Sequence, residues 1–387
     1  MDKPVKKPKV TNFSSGPCAK HPCFDIANLK DALFGRSHRS KDGKARINYA
    51  VSRMRELLGV PDDYLMAIVP GSDTGAIEMA LWNILGERGV DVFYHDAFGQ
   101  YWARDVVNNL HLDDVRIFRA DYGSLPDVSN VDGNRDMVFV FNGTTSGVRY
   151  PNLDFVPDDR EGLSICDATS AVFAYEMDWK KLDVVTFSWQ KVLGGEAGHG
   201  VLILSPRAAK RIDRSVPSWP IPRLFNLKTA DGLLNRKIFE GNTINTPSML
   251  CIEDLIDALA WAKDLGGLSA LMRRTADNLA TIAAWVDKSD WCSFLCADPA
   301  SRSSTSICLK VKDAAFNALS VDEQKAILME MFDYLADNDV AHDIASYKDA
   351  PVGIRIWGGA TVEKSDIKAL LPWLDYTFYK FFTAKRA

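Results

Sequence analysis

The sequence predicts an α/β protein, with a large domain on a mostly parallel sheet of about seven strands followed by a smaller α+β domain. Three observations lead there. Short apolar runs alternate with helix-like stretches up to about residue 250, the pattern of strands joined by helical crossovers. Past that point longer helical periodicities enclose only two isolated strand-like runs. The composition, 387 residues with 47% hydrophobic and 25% charged, is that of a globular chain long enough for one large and one smaller domain.

The elements follow in order. Residues 1–20 read as an irregular arm, with prolines at 4, 8 and 17 and a Ser14-Ser15-Gly16-Pro17 turn signal. Tyr64–Val69 is an apolar strand, Pro70–Gly75 a turn rich in small residues, and Ala76–Leu85 a helix. Val90–Tyr94, Val115–Phe118, Met137–Phe141, Leu163–Cys166, Val184–Phe187 and Gly200–Leu204 continue the strand series. Met249–Leu265 and Leu268–Val286 have helical spacing, Ser306–Val311 is a strand, and Val321–Ala336 a helix. Gly353–Trp357 is a further strand, and Lys364–Phe382 a closing helix. This divides the chain into an arm at 1–20 packing with the small domain, a large domain at 21–262 and a small domain at 263–387.

The formal charge of −5 gives no global electrostatic attraction for nucleic acid or an anionic membrane, so neither is expected as a partner. Cysteines 18, 23, 166, 251, 292, 296 and 308 are odd in number and scattered, without CxxC spacing or a histidine cluster, so no metal site is expected. The basic start Met1–Lys9 is not followed by an apolar stretch, and no run reaches membrane-spanning length. A cytoplasmic protein with reduced thiols is therefore expected.

Three segments carry chemistry. Lys191, in Ser188-Trp189-Gln190-Lys191-Val192-Leu193-Gly194-Gly195, follows a strand, where α/β folds place ligands. There a lysine kept from permanent protonation can form an imine with an aldehyde cofactor; a surface lysine before a turn is the plainer reading. Asp167 ends the strand before Ala168-Thr169-Ser170. A carboxylate so placed can pair with the pyridine nitrogen of pyridoxal phosphate and keep it protonated; a helix cap is the alternative. Ser72, Asp73 and Thr74 lie in a strand-to-helix turn whose N–H and hydroxyl groups can cradle a phosphate, unless they simply cap the helix. The turn is neither a Walker A loop nor a dinucleotide fingerprint.

The order of cup, strand-end Asp and strand-end Lys resembles fold-type I pyridoxal-phosphate enzymes, and within them the class V aminotransferases, from Asn12 to about Trp373. Asn12–Pro17, Ser37-His38-Arg39-Ser40, Tyr101-Trp102-Ala103, Asn142–Gly147, Gln190-Lys191, Asn245-Thr246-Pro247 and Gly353-Ile354-Arg355 are similar to motifs of the phosphoserine aminotransferase branch. The resemblance implies pyridoxal phosphate on Lys191, with Trp102 (or Phe98, four residues earlier) stacking on its ring. It implies Thr144 bonding the phenolic oxygen or the phosphate, and Gln190 at the phosphate. Asn245 and Thr246 would reach the cofactor phosphate of the other subunit, which implies a homodimer with active sites at the interface. Arg355 would clamp the substrate α-carboxylate, and His38 and Arg39 would meet the phosphate of phosphoserine. The implied reaction is ping-pong transfer between glutamate/2-oxoglutarate and 3-phosphohydroxypyruvate/phosphoserine in serine biosynthesis, with the phosphorylated keto acid of pyridoxine synthesis as a related substrate.

The departures leave the fold and the lysine role as they are and bear on how phosphate is bound. Asp349 stands where the family commonly has a second arginine, with Lys348 beside it as a substitute; Ile356–Ala360 departs from the usual continuation; and His199 has no evident counterpart. An alanine–glyoxylate or serine–pyruvate aminotransferase would share the fold without needing His38-Arg39. A desulfurase would need a mobile cysteine, a dehydrogenase the missing glycine fingerprint, and a silent ligand-binding relative would not need both Asp167 and Lys191.

Overall fold

A computed structural model describes residues 1–384. After the arm, helix α1 (Lys41–Leu58) starts where the Ser40 side chain accepts from the Gly43 N–H and ends at Gly59 in the left-handed conformation (φ 63°). Its Ile47, Ala50, Met54 and Leu58 form one buried stripe. Then follow β1 (Leu65–Pro70), α2 (Ser72–Ile84), β2 (Val90–Tyr94), α3 (Ala97–Arg104), β3 (Val115–Arg119) and β4 (Asp136–Val140). A hairpin of β5 (Asn142–Gly143) and β6 (Val148–Arg149) leads to β7 (Ser164–Asp167), β8 (Val184–Phe187), β9 (His199–Leu204) and α4 (Pro206–Arg214).

The seven-stranded sheet has the order β1-β9-β8-β7-β4-β2-β3. All its pairings are parallel except those of β9, which opposes both β1 and β8. Apart from the edge strand β3, whose residues are half-buried or exposed, its strands are buried on both faces and their side chains alternate between two cores. Met66, Ile68, Met137 and Phe139 join α1 and the later helix α5 (Met249–Asp264) on one face. Ala67, Val69, Val138 and Val140 join α2, α3 and α4 on the other.

Beyond α5 come α6 (Gly267–Val286), β10 (Cys292–Phe294), β11 (Ser306–Val311), α7 (Ala314–Asn317), α8 (Val321–Asp337), β12 (Ile354–Trp357) and α9 (Lys364–Phe378). Strands β10, β11 and β12 form an antiparallel sheet. The first core runs on without a break into Ile282, Leu328, Met331, Ile367 and Leu374 of these helices. The arm is tied down along its length: the Trp373 indole donates to Lys6 O (2.9 Å), Lys9 N to Asp366 (2.9 Å), His342 N to Thr11 O (2.8 Å) and Trp357 N to Phe13 O (3.1 Å).

The structure departs from the sequence reading in several places, helices α3 and α4 and the β5–β6 hairpin among them, which that reading left unassigned. Helix α1 was not anticipated, because its apolar stripe is interleaved with seven charged residues that keep every short window polar. Strand β10, three residues long, gives no alternation to detect. The closing helix stops at Phe378 and continues to Thr383 as a wider π turn. Strand β9 runs against its neighbours, a direction that an apolar run does not encode. Among the described residues, no helix is long and apolar enough to cross a membrane.

Candidate active site

The pairing Pro70↔His199 in the antiparallel β1–β9 ladder brings the start of β9 to the carboxyl ends of β1, β8 and β7. The turn after Pro70, Asp167, the segment 188–191 and His199 therefore share one edge of the sheet, the edge where α/β folds bind ligands.

Lys191 lies four residues beyond β8 and is 8% exposed. Its ammonium donates to the carbonyl of Ser15 in the arm. The arm approaches closely because position 16 is glycine: a Cβ there would lie 2.4 Å from Lys191 Nζ, on a backbone (φ 142°) that other residues rarely adopt. Burial pushes the Lys191 pKa down, and the Arg355 charge adds to this against the opposing pull of Cys18, Asp167 and Asp73. A desolvated amine of this kind is available as a nucleophile.

Asp167 is 2% exposed. Its Oδ1 accepts from Thr169 N (3.0 Å) and its Oδ2 from the Trp102 indole N–H (3.0 Å). Burial raises its pKa, while hydrogen bonds from Thr169, Asp73 and Trp102 favour the charged form. Asp73, in the first turn of α2, turns its carboxyl inward against Asp167. Burial, reinforced by the Asp167 charge, holds the Asp73 pKa well above the usual range.

With that carboxyl turned away, the backbone of the turn is shaped to receive an anion. Gly71 N and Ser72 N both donate to Gly198 O (3.2 and 3.3 Å), and Ser72 takes a left-handed φ of 54°, uncommon for a residue with a side chain. A Cβ on Gly75 would lie 2.2 Å from Pro70 O, so only glycine lets the helix start this close to the strand. The next N–H groups, of Asp73 and Thr74, precede the first intrahelical bond (Gly75 N to Gly71 O) and are free for a ligand. Thr74 is exposed beside them. Gln190 Oε1 is buried without a partner, while its backbone carbonyl accepts from Cys18 N (2.9 Å).

Arg355, on β12, brings the C-terminal part of the chain into the site. It is half-buried, its Nε has no partner, and its nearest neighbours include Cys18, Cys308 and the Tyr347 ring, 5.9 Å from Cζ. Burial lowers its pKa. Phe98 and Tyr101, on one face of α3, meet Tyr347 over this entrance; Phe98 and Tyr347 lie 5.7 Å apart. Lys348 is exposed, and Asp349 accepts from Tyr101 OH (3.3 Å). Thr144 is buried, and its hydroxyl donates to Ser170 Oγ (2.9 Å).

Other expected residues stand apart within one chain. His38 is buried with Nε2 unpartnered, and desolvation with the Arg39 charge lowers its pKa. Arg39 is exposed, and neither residue bonds to Lys191, Asp167 or Arg355 among the described residues. Asn245 is half-exposed; its carbonyl accepts from Thr243 Oγ1 (2.7 Å), its side-chain amide reaches Thr246 O at a long 3.5 Å, and Thr246 is exposed. His199 stacks on Trp189 (centroids 5.3 Å apart) and its Nε2 accepts from Ser248 N (3.1 Å), fixing the start of α5 and the end of the 245–248 segment. The Ser15 carbonyl, Cys18, Tyr347 and the inward turn of Asp73 escaped sequence reasoning. The Phe98/Tyr101 spacing on α3 was the one available hint.

These features fit pyridoxal phosphate: an enclosed amine, a buried carboxylate and a helix start with free N–H groups along one sheet edge. Among the described residues, no group of three or more His, Cys, Asp or Glu could hold a metal. A buried lysine, a buried carboxylate and a phosphate cup along one sheet edge are what a pyridoxal-phosphate enzyme requires. The chain belongs to the class-V aminotransferase family, whose sequence profile matches residues 35–331. It is 54% identical over 376 residues to a phosphoserine aminotransferase of Methanosarcina mazei, covering 97% of this chain and 99% of the relative. It is similar in fold to the phosphoserine aminotransferase of Cytophaga hutchinsonii, with TM-score 0.79, 22% identity, and 95% of this chain and 98% of the other covered. The pyridoxal-phosphate-bound enzyme of Trichomonas vaginalis matches with TM-score 0.76 and 18% identity over 95% of this chain and all of the other.

Proposed function

We propose that the chain is a pyridoxal-phosphate aminotransferase acting on phosphoserine, with glutamate and 2-oxoglutarate as the second pair, in serine biosynthesis. The near-full-length similarity to the Methanosarcina mazei enzyme carries this reading. When bound, the cofactor supplies an electron-withdrawing ring that stabilises negative charge at the substrate α-carbon.

Lys191 would hold the cofactor and serve as the base for the substrate α-proton, and burial, which lowers its pKa, favours the neutral amine that this role needs. Asp167 holds the ring nitrogen protonated. The backbone N–H groups at Asp73 and Thr74, with Ser72 and Gln190, bind the cofactor phosphate. Trp102 or Phe98 packs on the ring, and Thr144 bonds the phenolic oxygen. Arg355 clamps the α-carboxylate: its buried Nε has no partner, and among the described residues no salt bridge engages its guanidinium.

His38, Arg39 and Lys348 form the substrate-phosphate site. The outward-facing Asn245 and Thr246 complete the cofactor site of a second copy, so the working unit is a homodimer with interfacial active sites. We further propose the three-part division at 1–20, 21–262 and 263–387, a cytoplasmic location and use of the pyridoxine-pathway keto acid.

The test is the absorbance of cofactor-loaded protein on adding phosphoserine, alanine or serine. Bleaching of the yellow band by phosphoserine alone is expected. Bleaching by alanine or serine but not phosphoserine would transfer the assignment to an alanine–glyoxylate or serine–pyruvate type of enzyme.

A further inference from the structure

Asp73 sits oddly in a cup for an anion, since a charged carboxyl there would repel a phosphate. Its side chain does not face the cup. It is 6% exposed, and Asp73 Oδ1 is fully enclosed with no donor reaching it. The group that faces it at hydrogen-bonding range is the Asp167 carboxylate. The remaining neighbours are Lys191, whose ammonium is bonded to Ser15 O, and Thr186, whose hydroxyl is turned to the Asp73 carboxyl. Two buried carboxyls in contact stay together only around a shared proton.

The four lone-pair sites of Asp167 give that proton a use. A carboxylate accepts about four hydrogen bonds. Three are assigned here: Thr169 N and the Trp102 indole at 3.0 Å each, and Asp73. One remains for a ring nitrogen.

We propose that Asp73 is a positioning residue that carries the proton of the pair and donates it in a hydrogen bond to Asp167, fixing Asp167 as the anion for the cofactor's ring nitrogen. This rests on the cofactor reading above. The direction follows from the surroundings: Asp167 has two further donors to stabilise its charge, the Thr169 N–H and the Trp102 indole, and Asp73 has the Thr186 hydroxyl alone, so the proton resides on Asp73. With the Asp73 donation, Asp167 is the weaker base of an Asp167–pyridinium pair, and the ring keeps its proton. Without it, Asp167 in the same dry pocket is more basic and takes the proton from the ring.

The experiment compares Asp73→Asn, whose amide still donates, with Asp73→Ala, which does not; Asp73→Leu replaces the latter if it fails to fold. Each full-length protein is loaded with pyridoxal phosphate labelled with ¹⁵N in the ring, and the nitrogen resonance and cofactor affinity are measured. The wild type and the Asn variant are expected to show the protonated-ring resonance. The Ala variant is expected to show the neutral one and to bind cofactor about tenfold more weakly, the scale of one hydrogen bond to a charged group. An Ala variant with the wild-type resonance and affinity would overturn the proposal, as would an Asn variant as impaired as the Ala one. If the wild type binds no pyridoxal phosphate, the cofactor reading itself fails, which is a distinct result.

Discussion

Arg355 is the residue whose removal is most informative, because it is held unsatisfied. No side-chain hydrogen bond or ion pair inside the chain uses its guanidinium among the described residues; it has the Tyr347 ring at 5.9 Å and a buried Nε without a partner. A substrate carboxylate would supply two parallel N–H···O bonds. At about 1.5–3 kcal/mol for each bond to a charged group, the pair contributes about 3–6 kcal/mol. Arg355→Gln should therefore lower kcat/KM for the amino acid by about 10² to 10⁴. Arg355→Lys keeps the charge without the fork and should lose about 10- to 100-fold. Steady-state kinetics with a matched cofactor-content measurement separates this from loss of the holoenzyme. Because no internal partner is lost, the melting temperature of cofactor-free Arg355→Gln should not fall. A variant within about threefold of wild type in kcat/KM, or one whose principal defect is unfolding, would refute the assignment of Arg355 as a carboxylate clamp.

The Lys191 pKa lies below its unfolded value, so charging it penalises the folded state. That penalty is fully present below the folded pKa and vanishes above about 10.4, where the unfolded lysine also loses its proton. Cofactor-free Lys191→Met should thus melt higher than wild type at neutral pH, with the gap closing as pH rises towards that value. Alkylation of the native protein followed by mass spectrometry should label exposed Cys23 first. Buried Cys18 and Cys308, both pushed up to about 12, should react only after unfolding. Asp183, 2% exposed, binds Arg160 (2.9 Å), Ser205 Oγ (2.9 Å) and Ser164 N (3.1 Å) at the amino end of β8, away from the site. Asp183→Ala strands the buried Arg160 and should cost about 3–5 kcal/mol in denaturant unfolding.

What the sequence made legible was what local pattern encodes. Strands buried on both faces are rich in apolar and β-branched residues, so Val90–Tyr94 and Val184–Phe187 could be bounded to the residue even though Asp91 and Thr186 interrupt them. Lys191, Asp167 and the turn after Pro70 stand at strand ends, and strand ends of a parallel sheet converge on one edge. Orientation was not legible. Asp73 and Thr74 are neighbours in a polar turn, yet one faces Asp167 and the other solvent, which depends on how α2 is rotated on the sheet. The same holds for Trp102, whose indole is tied to a carboxylate 65 positions away, and for His199, which is a wedge between Trp189 and the start of α5. Arm contacts such as Ser15 with Lys191 cross 176 positions and leave no periodic trace.

The most direct test of the central claim is to load the protein with pyridoxal phosphate, reduce it with borohydride and digest it for mass spectrometry. A cofactor mass retained on the peptide carrying Lys191, and lost in Lys191→Ala, is the predicted result. A stable adduct on any other lysine, or none in a protein that has bound the cofactor, would contradict the account.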